Sequence, residues 1–257
     1  MHINIYDANS HVRRFIEVDR TGLPLRTMAM EVNMSPAVSV FVWDGAGGNQ
    51  RRRDIFPPYK MNRTPPAEDI FATMNLFKQV LRHTKAIQIT IPKYEADDVI
   101  AYLVAAYQAQ ADLTIHSTDR DLYALCALPN VRHSAVSVEK VPPHLIRLYK
   151  ATKGDPSDNI PGIKGFGDKA WESCDKDELL GWYLLGAGQL HSPEVTAERF
   201  RISKASAAWL CENTQLAIDM WRIIGFFPPT ATEVNAGTTI GQVDQAEVNK
   251  LLGRFLQ

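Results

Sequence analysis

The sequence predicts an α/β fold with a mostly parallel sheet flanked by helices. Two observations predict it. Short Ile- and Val-rich stretches at 3–6, 38–43, 86–91 and 113–116 are mostly apolar on both faces, as buried parallel strands are. Helical periodicity fills the intervals between them, and that alternation is the mark of an α/β sheet. After the first two strands, Pro65 and Pro66 open a helix whose first turn carries Glu68 and Asp69. Ile70, Phe71, Met74, Phe77 and Leu81 then recur at helical spacing. The third strand is followed by a helix over 95–110, with Val99, Leu103 and Ala106 on its apolar face. Past Val141 the composition changes. Pro142 and Pro143 start a helical stretch with Leu145, Ile146, Leu148 and Tyr149, and a glycine-rich run fills 154–167. From Asp175 onward the reading is mostly helix, broken at Pro228-Pro229 and by small polar residues near 230–239. The division expected is 1–141 and 142–257.

Composition narrows the classes. The 257 residues are 45% hydrophobic and 22% charged, which excludes a disordered, fibrous or repeat protein. With 28 basic and 29 acidic residues, the net charge of −1 excludes a broadly basic nucleic-acid coat while leaving room for a local basic groove. The cysteines Cys126, Cys174 and Cys211 form no CxxC pair and suit a reducing compartment. His2, Asp7 and two arginines interrupt the start, so no signal peptide is expected. The apolar run 99–107 is about half of the roughly 20 residues that a bilayer span needs. A soluble cytoplasmic protein is expected, in the host cytoplasm if a phage encodes it.

Three of the four strands run into aspartate: Asp7, Asp44 and, three residues past the strand, Asp119. Ligands of open α/β sheets bind outside the carboxyl ends of the strands. Glu95, Asp97, Asp98, Asp121, Asp155 and Asp158 join the set. Singly, each acid has a plain structural reading as a turn residue, a helix N-terminal acid or a cap. Together the pattern is harder to read that way. Glu95 and Asp98, three apart, share a helix face, and Asp119 and Asp121, two apart on an extended strand exit, point the same way. Like charges 4 Å apart repel by about 4 kcal/mol at an effective dielectric near 20, so a converging set calls for cations. Oxygen-only ligands favour Mg²⁺ or Mn²⁺ over zinc. There is no HExxH, no Gly-x-Ser-x-Gly elbow and no Walker loop. His116, near the acidic edge, reads as a structural histidine. What is left is metal-assisted attack by water, typically on a phosphodiester.

A basic stretch follows Asp44. Arg51, Arg52, Arg53, Lys60 and Arg63 form either a solvated loop or a cationic segment that holds phosphate or threads a single strand. Tyr59 stacks on a base or packs against Pro57-Pro58. The turn Gly162-Ile163-Lys164-Gly165-Phe166-Gly167, with Lys169 beyond it, exposes backbone amides to phosphate.

Five motifs resemble the bacteriophage and bacterial 5′-nuclease family, which includes flap endonucleases. They are Val42-Trp43-Asp44-Gly45, the stretch Tyr59 to Arg63, Tyr94-Glu95-Ala96-Asp97-Asp98, Ser117-Thr118-Asp119-Arg120-Asp121, and the run Gly154 to Gly167 with Asp155 and Asp158. The first site motif, Tyr6-Asp7-Ala8-Asn9-Ser10, departs by carrying Ala8 where the family commonly has glycine. The resemblance implies a PIN-like nuclease domain with an arch segment at 45–68, and a helical DNA-binding region with a helix–three-turn–helix at about 150–185. It implies a first metal held by Asp7, Asp44, Glu95 and Asp97, with Asp98 beside or bridging it. A second metal is served by Asp119, Asp121, Asp155 and Asp158. Lys60 and Arg63 engage the scissile phosphate, and a potassium ion sits at the helix–three-turn–helix. The activity implied is a 5′-3′ exonuclease or flap endonuclease in DNA replication, repair or recombination. It would be a monomer acting on DNA 5′ ends, flaps and nicks, and on RNA primers. Two other readings are a non-catalytic branched-DNA-binding protein and a metal-dependent ribonuclease. Setting the site acids aside leaves the rest of the chain with a basic surplus, so the near-neutral total fits an acidic pocket in a basic body.

Overall fold

A computed structural model describes residues 1–18, 23–65, 67–134 and 141–256. In chain order it comprises β1 (His2–Asp7), α1 (Ala8–Val18), α2 (Leu23–Met34), β2 (Val38–Trp43), α3 (Gln50–Ile55), α4 (Glu68–Leu81), β3 (Ile87–Thr90), α5 (Ala96–Tyr107), β4 (Asp112–His116) and β5 (Val131–His133). Then come α6 (Ile146–Lys153), α7 (Asp168–Ser173), α8 (Lys176–Leu184), α9 (Pro193–Phe200), α10 (Lys204–Glu212), α11 (Thr214–Ile224), α12 (Ala231–Gly237), β6 (Thr238–Ile240) and α13 (Gln245–Leu252). Among the described residues no helix is long and apolar enough to cross a membrane. The chain forms two compact units: one is residues 1–48, 64–139 and 227–257, the other residues 49–63 and 140–226.

The first unit holds a six-stranded sheet in the order β5-β4-β1-β2-β3-β6, parallel except for β6. The mostly parallel sheet flanked by helices follows the sequence pattern, because the strands are buried on both faces and tolerate few polar residues. On one face α1, α2, α4 and α13 close a core around Phe41, Trp43 and Phe77. On the other face α5 packs on β1 and β2 through fully buried Val99, Ile100 and Val104. Chain order reverses between β1 and β4, which makes their carboxyl ends the crevice of the sheet.

Several elements differ from the sequence reading. The helices α1 and α2 fill the interval between β1 and β2, where the sequence pattern set no bounds because apolar residues are interleaved with arginines and small polar side chains. The helix at α4 starts at Glu68; Pro66, expected to open it, lies outside the described residues. Phe71 is exposed, at the edge of the face that Ile70, Met74 and Phe77 bury. The expected break at 230–239 holds α12 and β6 instead. A capping box supplies the start of α12: the Thr230 hydroxyl accepts from the Glu233 N–H, and the Glu233 carboxylate accepts from the Thr230 N–H. The strand β6 then pairs with β3, Ile87 opposite Ile240. Residues 227–257 therefore belong with the sheet, and residues 49–63 with the helical unit, which departs from a boundary at 141.

The second unit is helical around a core of aromatic residues. Tyr183 stacks on Trp221 at 4.8 Å, and Trp182 lies 5.9 Å from Phe200. Arg147 sits 3.9 Å above the Trp221 ring and donates twice to the Trp221 carbonyl. Burial pulls its guanidinium down to about 10. Arg52 on α3 is buried and ties the end of α11: its Nε donates to the Ile223 carbonyl at 2.9 Å and its Nη2 to the Gly225 carbonyl at 3.0 Å. Replacing Arg52 strands those carbonyls. Arg52→Met is expected to lower stability by about 2–4 kcal/mol, read as a shifted urea midpoint at unchanged slope.

Candidate functional site

The acids of the first unit gather where β1, β2 and β4 end. Asp7, the last residue of β1, is 5% exposed. Its Oδ2 accepts from the Ser117 hydroxyl at 2.6 Å and its Oδ1 from the Ser10 N–H at 3.3 Å. Burial, together with the Asp44 and Asp119 carboxylates, pushes its carboxyl up to about 7, against the lowering effect of Ser117 and Ser10. Asp44 follows β2 and is exposed. Its N–H donates to Asn9 Oδ1 at 2.9 Å, and its own Oδ1 accepts from the Ala96 N–H at 2.8 Å, at the start of α5. Glu95, buried, occupies the N-cap position of that helix, with half-buried Asp97 in its first turn.

Two details correct the expected geometry. Glu95 and Asp98 do not share a helix face, because Glu95 has extended backbone ahead of the helix. Asp98 is fully buried and turns away to accept the Phe227 N–H at 2.8 Å. Asp119 and Asp121 are not on an extended strand exit: β4 ends at His116, and Asp119 Oδ1 accepts the Asp121 N–H at 2.9 Å in a tight turn. His116 is structural as expected, stacked on Tyr6 at 4.5 Å and bonded to Asn4 Oδ1.

Close backbone approach fixes this edge. The Gly45 N–H donates to the Tyr94 carbonyl at 3.0 Å, and a Cβ at Gly45 would lie 1.8 Å from the Ile91 carbonyl oxygen. That contact is why Asp44 is followed by glycine. It also brings the end of β2 onto the turn that carries Glu95.

The acids of the second unit lie on one short turn. Asp155 caps it, its Oδ1 accepting from the Ser157 N–H and hydroxyl. Lys150 donates to Asp155 Oδ2 at 2.7 Å. Burial pushes the Asp155 carboxyl up, but Lys150 and Ser157 outweigh it and hold the group below its ordinary value. Asp158 is buried and faces Lys60 Nζ at 3.9 Å and the Arg63 guanidinium. The Lys60 N–H bonds the Asp158 carbonyl, Asn62 bonds the Pro156 carbonyl, and Asn159 bonds the Pro58 carbonyl. The loop 154–162 is crossed on itself: Gly162, at φ +71°, would place a Cβ 2.4 Å from Gly154 N and Lys153 C.

Most of the expected nucleic-acid contacts in the basic stretch prove to be internal. Tyr59 is buried, with Lys60 Nζ 4.9 Å from its ring, so it packs and does not present a face to a base. Arg52 is buried as described. Arg53 donates to the Tyr59 and Lys60 carbonyls, and Arg51 is half-buried. Among the described residues of 45–68, the helical segments are α3 and the first residue of α4. In the glycine-rich turn, Ile163 and Phe166 are buried, while Lys164, Gly165, Gly167 and Lys169 are exposed and Gly162 is buried. The residues missed are small and polar: Asn9, Ser10 and Ser117 each bond a site aspartate, and Ser10 also bonds Thr118. Their only signal was adjacency to the acids.

Comparison places these features in a class. A family model described as 5′-3′ exonuclease, N-terminal resolvase-like domain, matches residues 24–147, just under half of the chain. A 5′-3′ exonuclease of Bacillus subtilis is 32% identical over 149 residues, covering 52% of this chain and 50% of that protein. DNA polymerase I of Rhizobium leguminosarum is 32% identical over 168 residues, covering 58% of this chain and 16% of the polymerase. Thus the chain spans about half the length of the curated exonuclease it matches. A T5 D15 protein co-crystallized with metal ions superposes with a TM-score of 0.65 at 18% identity, covering 100% of this chain and 98% of that one. The same protein's flap-endonuclease pseudo-enzyme-product complex with DNA and metal ions gives 0.61 at 18% identity, covering 100% and 98%. Sheet order and the superposition together show that the fold is that of the T5 D15 protein. Over residues 24–147 the chain is similar to the N-terminal domain of 5′-3′ exonucleases.

Two outcomes follow from this geometry. Asp7 has an ordinary carboxyl value of 3.8 that folding raises to about 7, so between those pH values the metal-free folded chain holds a proton the unfolded chain has released. Stability therefore falls as pH rises through that window. In EDTA, Asp7→Asn should flatten the slope and add about 1–3 kcal/mol at pH 8, measured by urea denaturation across pH 4–8. Gly45→Ala drives a methyl into the Ile91 carbonyl and should cost about 3 kcal/mol or more by the same measurement.

Proposed function

We propose that the chain is a divalent-metal-dependent 5′ nuclease, a 5′-3′ exonuclease or flap endonuclease that hydrolyses DNA phosphodiesters. The observation that carries the reading is Asp7. It is a buried carboxyl at the crevice of a parallel sheet, raised to about 7 by burial and by other carboxylates. Such a group, with the Asp44 and Asp119 carboxylates beside it, fits a hard divalent ion, Mg²⁺ or Mn²⁺. A bound pair of such ions would activate water for attack and neutralise charge on the phosphate. In this reading Asp7, Asp44, Glu95 and Asp97 hold the first ion, and Asp119, Asp121, Asp155 and Asp158 serve the second. Lys60 and Arg63 exchange Asp158 for the scissile phosphate, whose charge they orient. Residues 154–185, with exposed Lys164 and Lys169, grip duplex DNA through the glycine-rich turn, which also takes a potassium ion. The substrates are DNA 5′ ends, flaps and nicks, with RNA primers accepted. The chain acts as a monomer in the cytoplasm, a placement supported by its three free cysteines.

The test is labelled 5′-flap DNA, blunt duplex and RNA–DNA hybrid, each with Mg²⁺ and with EDTA. Metal-dependent cleavage of the flap is expected. Binding without cleavage would point to a branched-DNA-binding protein, and cleavage of the hybrid alone to a ribonuclease. Asp97→Asn should reduce flap cleavage by about 100-fold or more while leaving DNA binding in EDTA unchanged. Lys60→Ala should slow single-turnover cleavage far more than it weakens duplex binding, and equal losses would reduce its role to tethering.

A further inference from the structure

The ligand-bearing turn at Glu95 is held from outside by a segment that carries no nuclease motif. Tyr94 is buried, and its hydroxyl donates to both oxygens of Glu233, at 3.0 and 3.1 Å. Its backbone carbonyl accepts from Gly45, the residue after Asp44. One residue thus joins Asp44, Glu95 and α12. Glu233 is itself fixed, because its Oε2 also accepts from the Thr230 N–H and hydroxyl, each at 2.8 Å. Four residues on from Tyr94, Asp98 Oδ1 takes the Phe227 N–H. At the far end of α12, a Cβ on Gly237 would lie 2.7 Å from the Thr90 carbonyl oxygen, so that helix is pressed against the end of β3. Three anchors along residues 227–237 therefore meet Thr90, Tyr94 and Asp98, and Glu95 and Asp97 lie between the last two.

We propose that Tyr94 and Glu233 are positioning residues for a divalent cation, acting through Glu95 and Asp97, with residues 227–237 as the brace. The inference rests on reading those acids as metal ligands. A tyrosine ring would fill the same space as phenylalanine, so the hydroxyl contributes direction more than volume. Groups that orient metal ligands typically change affinity by about 10–100-fold when removed.

The experiment titrates Mn²⁺ alone into the full chain, without DNA, and reads free Mn²⁺ by its EPR signal, with thermal melts under the same conditions. Tyr94→Phe and Glu233→Ala should each weaken Mn²⁺ binding about 10-fold while the chain stays folded at the assay temperature. Glu233→Gln keeps an acceptor for Tyr94 and a capping-box partner for Thr230, and should stay within about twofold of wild type. The double variant Tyr94→Phe/Glu233→Ala should be no weaker than either single one, since both remove the same bond. Wild-type affinity in Tyr94→Phe and Glu233→Ala overturns the proposal, as does a loss that only tracks unfolding, or a Glu233→Gln as weak as Glu233→Ala. A wild-type chain that binds no Mn²⁺ instead removes the metal reading beneath it.

Discussion

The carboxyl of Asp7 is the constraint to which the rest of the sheet unit answers. It lies at the end of a central strand, buried, with Asp44 and Asp119 raising its cost of ionisation. In a medium of effective dielectric near 20, two such charges 4 Å apart oppose each other by about 4 kcal/mol. Polar groups around it offset part of that cost: Ser117 and the Ser10 N–H bond Asp7, and Asn9 holds the backbone of Asp44. The parallel sheet makes the arrangement possible, because only parallel strands deliver all their carboxyl ends to one edge.

The helical unit meets the opposite problem, an excess of cations close together in sequence. Arg52 and Arg53 are directed inward onto backbone carbonyls, and Lys60 and Arg63 onto Asp158. A guanidinium with several donors on fixed carbonyls is a cross-link between segments, and α3 is joined to the end of α11 in this way. Charge here organises local backbone first.

The sequence made the sheet and the acids legible for physical reasons. Strands buried on both faces must be apolar throughout, so β1 to β4 stand out, and acids at strand ends are conspicuous against them. What was hidden depends on long-range contacts. The three-residue strand β6 exists because β3 lies beside it, and nothing in Thr238-Thr239-Ile240 signals that. The inward turn of Tyr59 and Arg52 was equally invisible, since a basic or aromatic residue in a loop reads the same whether it faces water or a carbonyl. Asp98 shows the limit of spacing arguments: residues 95 and 98 share a helix face only if both are in the helix, and Glu95 is its cap.

The sheet unit is assembled from three stretches of chain, and its last strand comes from the far end. Between the end of β3 and the start of β6 lie roughly 150 residues, whose loop-closure entropy must be overcome before that edge pairs. During synthesis the acids of β1, β2 and β4 emerge long before residues 227–240. A ribosome-bound chain would thus carry its full complement of carboxylates while the turn that orders two of them is still unsupported. Synthesis of residues 227–240 is then itself a step in building the acidic edge.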